Sequence, residues 1–429
     1  MSLVFHNVRL SFIISIDFGL FNFGKDIENY LSQVTILGEK PVFEYKELSD
    51  EVYDHEFIRL SSPIPTLTFE IDNNIFFDNY VKGHVEKTLN PFYNSFYRIL
   101  VIFSFDQRGI MSIRFDLYSK LDNSIQTPKM IEILDETCTL VDETIFPKFI
   151  KNEIEKLVNP PENAIFLQVH ETYSIVSSVN VTKYKSKSQE KRDIFGIVWK
   201  EPDYNDMDEK TVDIVTKNEI GLFDSDIFTI ATPASLLICE GDLELDSDYF
   251  NERINAVEIF CRQQHLLKKL DVKLDFFIAN YNKKNVPHLK SVIEEIRVTK
   301  MDVYSALEFY RNTKIYGIHF FKILFDILNE VFELNKHYSS VLDKLNVCDD
   351  LYKGLHDERR NNLTENIQWL VVILGGSSLL VAVLNLFKDS YMGVILLFIL
   401  LLGISIIQIR NPGKLKRVFI MFIEYLKFN

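Results

Sequence analysis

A basic cluster near the middle of the sequence contains the residue types that bind anions. Five cations lie within twelve residues, 181–192: Lys183, Lys185, Lys187, Lys191 and Arg192. Because the rest of the chain is acidic, Lys183, Lys185 and Lys187 could attract an anionic small molecule. The alternative is a solvated loop whose lysines pair with acidic neighbours. The sequence leaves both interpretations open.

An acidic cluster follows a short apolar run and contains the ligands of hard cations. Its carboxylates are Glu201, Asp203, Asp206, Asp208 and Glu209. Carboxylate oxygens suit Mg²⁺ or Ca²⁺, but the stretch lacks the glycine and the spacing of an EF-hand. A solvated loop is the alternative, and the sequence assigns no metal ligand. The sequence assigns no cofactor, and Mg²⁺ or another divalent cation is the candidate.

Signatures of an enzyme are missing from the chain. The sequence contains no Walker-type loop, no G-x-S-x-G, no H-E-x-x-H and no G-x-G-x-x-G. The four cysteines are far apart and show no zinc-site spacing, which predicts reduced thiols in an intracellular protein. We therefore expect no catalytic residues and no enzymatic activity.

The charge is divided unevenly along the chain. Residues 359–429 hold eight Lys/Arg against three Asp/Glu, while the whole chain has a net charge of -14, so the upstream part carries -19. Duplex nucleic acid requires a basic surface. Nucleic acid is therefore excluded as a bulk partner.

Two long uncharged runs lie in the last quarter of the sequence. One spans 367–387 and the other 391–409, and only Lys388, Asp389 and Ser390 separate them. About 20 apolar helical residues cross one hydrocarbon core of about 30 Å. We predict a transmembrane hairpin over 366–409, with helices at 366–387 and 391–409.

Basic residues flank the outer ends of this hairpin. Arg359 and Arg360 precede it, and Arg410, Lys414, Lys416 and Arg417 follow it. The positive-inside rule then places both termini in the cytosol. The prediction is a multi-pass protein of the cell inner (plasma) membrane, with the lipid bilayer as a partner and 410–429 as a basic cytosolic tail.

A heptad pattern leads into the hairpin. Its apolar positions are Val331, Leu334, Tyr338, Val341, Leu345, Cys348, Tyr352 and Leu355. Such spacing is typical of a helix packed along others, and no proline occurs between Pro287 and Pro412. We therefore expect one stalk helix from about Asn329 into the membrane.

The same register, extended, reaches Asn362, Asn366, Ile373 and Leu380. In a cyclic homo-oligomer these residues would line a pore, with an apolar constriction at Ile373 and Leu380. The alternative is that the asparagines are solvated and that Ile373 faces lipid. The small residues 375–378 permit close approach between helices, and packing there is favoured over an ion site.

The upstream part mixes strands and helices. Strands are predicted at 3–16, 66–71, 164–179 and 193–200, and 98–118 forms a hairpin around Asp106–Gly109. Helices are predicted at 141–157, at 251–270 and at 290–333. The predicted fold is α+β/α/β: a cytosolic domain at 1–245, a helical region and stalk at 246–365, the hairpin at 366–409 and the tail at 410–429.

This order of parts resembles the CorA family of divalent cation channels. The resemblance implies a CorA-like homo-oligomer, a pentamer, whose first membrane helix lines the pore and ends in a Gly-Met-Asn motif that recognises hydrated Mg²⁺. The matching stretch is Val383-Leu384-Asn385-Leu386, so only Asn385 corresponds, while Tyr391-Met392-Gly393 resembles the start of the family's second helix. The absent glycine and methionine argue against Mg²⁺ selectivity.

The missing motif and the extra cytosolic region look like a divergent CorA-like group, the effectors of type III CRISPR antiviral defence. That resemblance implies gating by a small nucleotide ligand, a second messenger. The alternatives are a Mg²⁺ or divalent cation transporter and a membrane-tethered scaffold without a pore. For the channel, we predict ligand binding at Lys183, Lys185 and Lys187, and pore lining by Asn362, Asn366, Ile373, Ser377, Leu380 and Asn385.

Overall fold

A computed structural model of the chain describes ten segments. These are residues 3–17, 34–46, 64–81, 96–105, 110–149, 172–179, 186–220, 226–239, 243–281 and 319–386, with isolated positions at 152, 153, 181, 395 and within 294–304. The chain divides into two units. The first is Met1–Ala279 with Lys300–Leu345, and the second is Asn280–Thr299 with Asn346–Asn429.

A mixed β-sheet forms the centre of the first unit. Its strands are β1 (Val4–Asp17), β2 (Val42–Lys46), β3 (Ile64–Ile71), β4 (Phe96–Phe105), β5 (Ile110–Gln126), β6 (Tyr173–Val179), β7 (Ile227–Ile230) and β8 (Ala234–Cys239). The eight strands lie in the order β2-β3-β4-β5-β1-β6-β8-β7. Strands β6 and β8 pair in parallel, and the other neighbours pair antiparallel. The predicted mixed α/β class is confirmed.

Helices connect and cover these strands. They are α1 (Asn73–Phe76), α2 (Thr127–Leu140), α3 (Phe146–Phe149), α4 (Lys187–Trp199), α5 (Glu209–Thr216), α6 (Asp248–Tyr281), α7 (His319–Val331) and α8 (Leu334–Leu386). Two short π-helical segments, Phe77–Val81 and Val141–Ile145, follow α1 and α2. Helices α6 and α8 are long, at 34 and 53 residues.

The two faces of the sheet differ in polarity. On β1, Leu10, Phe12 and Ile14 belong to the apolar core that also contains residues of α2 and α4. The alternate residues Arg9 and Ser11 point to the opposite face, as the two-residue period of a strand requires. That face is polar, yet its residues are buried, and side chains of α6 bond to it. Helix α6 is therefore attached to the sheet by hydrogen bonds and ion pairs.

The predicted strand at 193–200 is wrong, because this stretch lies almost wholly in helix α4. Short apolar runs do not distinguish a buried strand from a buried helix. Residues 193–198 are all buried, so this stretch has no polar, exposed face that would reveal the helical period in the sequence. A Cβ added at Gly196 would lie 2.7 Å from the Tyr204 ring and 2.9 Å from Ile131. This close approach is what the glycine permits.

Other boundaries also shift. Within the helix predicted at 141–157, a π-helical segment covers Val141–Ile145 and α3 covers Phe146–Phe149, and apart from 152 and 153 the rest lies outside the described residues. The helical stretch begins 14 residues earlier than predicted, with α2 at Thr127. Strand β6 covers the end of the segment that was predicted to be strand at 164–179. Within the helical stretch predicted at 290–333, α7 is the continuous helix that the structure describes. The predicted turn at 106–109 lies outside the described residues, although β4 and β5 flank it.

The stalk does not run unbroken from Asn329. Helix α7 ends at Val331, Glu333 has the left-handed φ of 50°, and α8 begins at Leu334. The apolar heptad positions from Val331 to Leu355 form the seam of the stalk. Within the first unit, its residues Leu334, Val341 and Leu345 are buried in their own chain. Lys344 on α8 pairs there with Asp271 on α6 at 2.8 Å. This part of the seam packs within one chain rather than on other copies.

Helix α8 continues through the first predicted membrane segment to Leu386. Across the part of the chain that the structure describes, no helix is long and apolar enough to cross a membrane. The side chains of Ile373, Ser377, Leu379, Leu380, Val383 and Leu384 lie outside that part, as does the second predicted segment except Ile395. The hairpin stays a prediction.

Candidate functional site

A polar cavity of about 190 Å³ lies in the first unit, between the sheet and α6. Strands β1 and β6 form its floor through Ile13, Ser15 and Tyr173, and α6 forms one wall. The described residues that line it are Ile13, Ser15, Asp142, Thr172, Tyr173, Lys200, Thr232, Pro233, Cys261, Gln264, His265, Lys268 and Phe332. A cavity of about 150 Å³ accommodates a benzene ring, so this one has room for a small ligand.

Two lysines bring positive charge to the cavity. Lys200 follows α4 and donates from Nζ to the buried Cys138 Sγ at 2.9 Å. Lys268 on α6 is exposed, and it has no carboxylate partner within salt-bridge distance in the described chain. Among the described lining residues, Asp142 is the one carboxylate beside these two ammonium groups. The described lining is therefore net positive, in a chain whose net charge is -14.

Lys200 occupies a strained backbone position. Its φ of 54° and ψ of 39° are left-handed, and it closes the end of α4, where glycine is usual. For a residue with a Cβ, this conformation costs about 1–2 kcal/mol. Strain of this kind concentrates at functional sites. The lysine thus occupies a position that backbone energetics would assign to glycine.

Asp142 also lines the cavity and accepts a hydrogen bond from the Thr172 hydroxyl. Burial raises the pKa of Asp142 above its ordinary value, although the bond from Thr172 and the charge of Lys200 oppose the shift. Burial also raises the pKa of the Cys261 thiol, which keeps that side chain neutral. The cavity wall around Asp142 is therefore better suited to a ligand hydroxyl that donates a hydrogen bond than to a second charged group.

Ser15 supplies a buried hydroxyl on the cavity floor. It is 4% exposed, and its Oγ has no hydrogen-bond partner among the residues described. A buried polar atom without a partner costs about 1–3 kcal/mol. Because this atom faces a cavity rather than solid core, a bound molecule could provide the missing bond.

The aromatic wall of the cavity joins it to the start of α8. The rings of Tyr173 and Phe332 lie with centroids 5.1 Å apart. Gln264 on α6 donates from Nε2 to the Phe332 carbonyl at 3.0 Å. Phe332 precedes Glu333, whose pKa is lowered mostly by Lys336 and slightly by Lys268. A ligand in the cavity would therefore contact Phe332 at the α7–α8 junction. It would also contact Lys268, whose charge acts on Glu333 at the same junction.

A second set of charged residues is fully buried and joins β1, β5 and α6. Arg9 pairs with Asp116 at 2.8 Å, and Arg114 pairs with Glu258 at 2.7 Å. Ser112 also donates to Glu258, at 2.6 Å. Desolvation opposes the charge of Asp116, but Arg114 and Arg9 hold its pKa below the ordinary value. With its charges matched and enclosed, this network positions α6 and offers no opening to a ligand.

The predicted basic cluster lies only partly within the described chain, and its role as a ligand site stays a prediction. Lys183 and Lys185 lie outside the residues described, and Lys187 is exposed at the first turn of α4. Lys191 pairs with Asp213 at 2.6 Å, and Arg192 donates to the carbonyls of residues 204, 205 and 207. Lys187, Lys191 and Arg192, the described cations of this cluster, are not among the described residues that line the cavity.

The acidic cluster contributes to local structure. Asp208 caps α5 by accepting from the Lys210 backbone N–H at 3.1 Å, and Glu201 accepts from the Asp203 N–H at 3.2 Å. Among the positions that the structure describes, no three His, Cys, Asp or Glu residues are grouped to hold a metal ion.

The predicted pore residues all lie on α8. Asn366 is half-buried and Asn385 is exposed, whereas the side chains of Asn362, Ile373, Ser377 and Leu380 lie outside the described part. Whether they line a pore stays a prediction.

The cavity residues were missed because they are scattered. Ser15, Asp142, Lys200 and Lys268 are separated by more than 50 residues each, so no local spacing links them. Comparison of the chain with family models, with curated proteins and with solved structures finds no match. The CorA-like resemblance therefore stays a prediction.

Proposed function

We propose that the chain is a homo-oligomeric, ligand-gated membrane channel whose α/β unit lies in the cytosol. One observation carries this proposal: the far part of α8 displays an apolar surface. Six apolar side chains there are 52–79% exposed: Ile367, Val371, Val372, Leu374, Val381 and Leu386. Large exposed apolar patches mark contacts with membranes or other proteins.

The surrounding sequence favours lipid as part of that contact. Residues 367–387 carry no charge, and a second uncharged run follows after three residues. A Cβ added at Gly375 or Gly376 would meet no described atom within 4 Å. The chain's own described packing therefore does not require these glycines, which fits close approach by a second helix or a second copy.

The position of the cavity supports gating by a ligand. Helix α8 begins two residues after the cavity residue Phe332, and it contributes residues to both units. A ligand changes a conformational equilibrium only if it binds one state more tightly. The α7–α8 junction is the element on which such a difference would act. The CorA-like resemblance suggests a nucleotide-type second messenger as ligand and an antiviral role.

Reconstitution in liposomes tests the proposal. The purified full chain is placed in vesicles that contain a general leak dye or a Mg²⁺ dye, and a panel of signalling nucleotides is added. We expect broad leakage that depends on a ligand. Flux of Mg²⁺ alone would support a transporter, and inserted, oligomeric protein with no flux under any condition would support a scaffold.

A further inference from the structure

We propose that the cavity between β1, β6 and α6 binds the phosphate group of a phosphate monoester. Lys200 and Lys268 supply positive charge from two different elements, and Ser15 supplies a buried hydroxyl donor. This identifies the ligand class of the site invoked in the proposed function, and it depends on that function only for its consequence at α8.

The donors favour phosphate over a planar carboxylate. Lysine acts on phosphate as a point charge, and the tetrahedral group presents oxygens in several directions. Ser15 lies on the floor, Lys200 at the end of α4 and Lys268 on α6, so the donors approach from separate sides. Lys200 is held by Cys138 at 2.9 Å, which fixes its ammonium group before a ligand arrives.

The remaining lining indicates that the ligand is larger than free phosphate. Asp142 would repel an anionic oxygen but accepts hydrogen bonds, as its bond from Thr172 shows. It therefore suits a hydroxyl of the ligand. The rings of Tyr173 and Phe332 provide an apolar wall. The phosphate and sugar of a sugar phosphate or of a nucleoside monophosphate satisfy both requirements.

Titration calorimetry of the full chain in detergent micelles tests the site. The probes are inorganic phosphate, ribose 5-phosphate and adenosine 5'-monophosphate, with acetate and adenosine as controls. We expect the phosphate monoesters to bind more tightly than inorganic phosphate, and the controls not to bind. Equal binding of ribose 5-phosphate and the nucleotide would identify the sugar phosphate as the recognised part. Binding of acetate as tight as that of phosphate would overturn the proposal.

Variants separate this site from the predicted basic cluster. Loss of a charge-assisted hydrogen bond lowers affinity about tenfold or more, so Lys268→Ala should weaken binding of the tightest probe by at least that factor. Ser15→Ala should weaken it several-fold without lowering the midpoint of thermal unfolding, since it removes a hydroxyl with no partner. Lys187→Ala is the matched control and should change nothing. Equal weakening by Lys187→Ala and Lys268→Ala would contradict the site.

The two proposals fail separately. Ligand-dependent leakage without binding of any phosphate probe would remove this site and leave the channel. Phosphate binding by protein that never permeabilises vesicles would remove the channel and leave the site.

Discussion

Arg114 on β5 and Glu258 on α6 form an ion pair at 2.7 Å, and both side chains are only 2% exposed. Ser112 donates to the other carboxylate oxygen, and Asp116 accepts from Arg114 at 3.1 Å. Because α6 also forms a wall of the cavity, this buried pair sets the position of Lys268 relative to the sheet. The polar face of the sheet thus supports the candidate site.

Glu258→Gln should destabilise the protein. The substitution leaves the Arg114 guanidinium buried with less negative charge beside it, and breaking a buried pair costs about 3–5 kcal/mol. We expect the thermal unfolding midpoint in detergent to fall by about 6–12 °C. Glu70→Gln is the control, because Glu70 pairs with Arg98 but is 64% exposed. Equal midpoints for the two variants would show that the buried pair contributes nothing.

Acid should weaken the same network through Asp116. Its folded pKa is lowered by Arg114 and Arg9 despite burial, and Tyr118 and the Arg114 partner Glu258 are the other titratable groups beside this network. A lowered carboxyl pKa contributes stability above the unfolded value of about 3.9, and this contribution is lost as pH falls through the folded value. Unfolding midpoints from pH 7 to pH 3 should therefore converge for wild type and Asp116→Asn. Parallel curves would contradict the assignment.

The left-handed conformation of Lys200 predicts an unusual order of stability. Lys200→Gly relieves about 1–2 kcal/mol of backbone strain, whereas Lys200→Ala keeps the strain and loses the bond to Cys138. The glycine variant should therefore be more stable than the alanine variant by about 1–2 kcal/mol, measured by denaturant unfolding. Both should lose affinity for phosphate monoesters. An alanine variant as stable as the glycine variant would show that the position is not strained.

The seam predicts which residues on α8 control leakage. Ile373→Asn or Leu380→Asn would hydrate the predicted apolar constriction, so cells expressing either variant should leak ions and stop growing. Val372→Asn is the control on the adjacent position, which the heptad register places off the seam. Normal growth with Ile373→Asn and Leu380→Asn, at wild-type expression in membranes, would favour a scaffold.

Much of the sheet was predictable because its strands have strong apolar patterns. The long β1 and the hairpin of β4 and β5 could be predicted from the sequence. Their residues either alternate between apolar and polar or form continuous apolar runs, and turn residues bound these runs. The second half of helix α4 was misassigned because residues 193–198 are all buried, with Gly196 in close contact with Tyr204. The break at Glu333 was also invisible, because neither glycine nor proline marks it.

The cavity could not be predicted for a different reason. Its charges lie on separate elements: Lys200 after α4, Lys268 on α6 and Asp142 in the π-helical segment. Only the folded sheet brings them together. The described part of the lysine-rich stretch that stood out in sequence lies in α4, where Lys191 pairs with Asp213.

Dye efflux from vesicles that carry the full chain, with the α/β unit facing outward, tests the central claim most directly. Adenosine 5'-monophosphate is titrated against wild type, Lys268→Ala and the Lys187→Ala control. The account predicts efflux that rises with the nucleotide in wild type and the control, and a midpoint shifted at least about tenfold by Lys268→Ala. Efflux that ignores the nucleotide, or that responds equally in all three proteins, would contradict it.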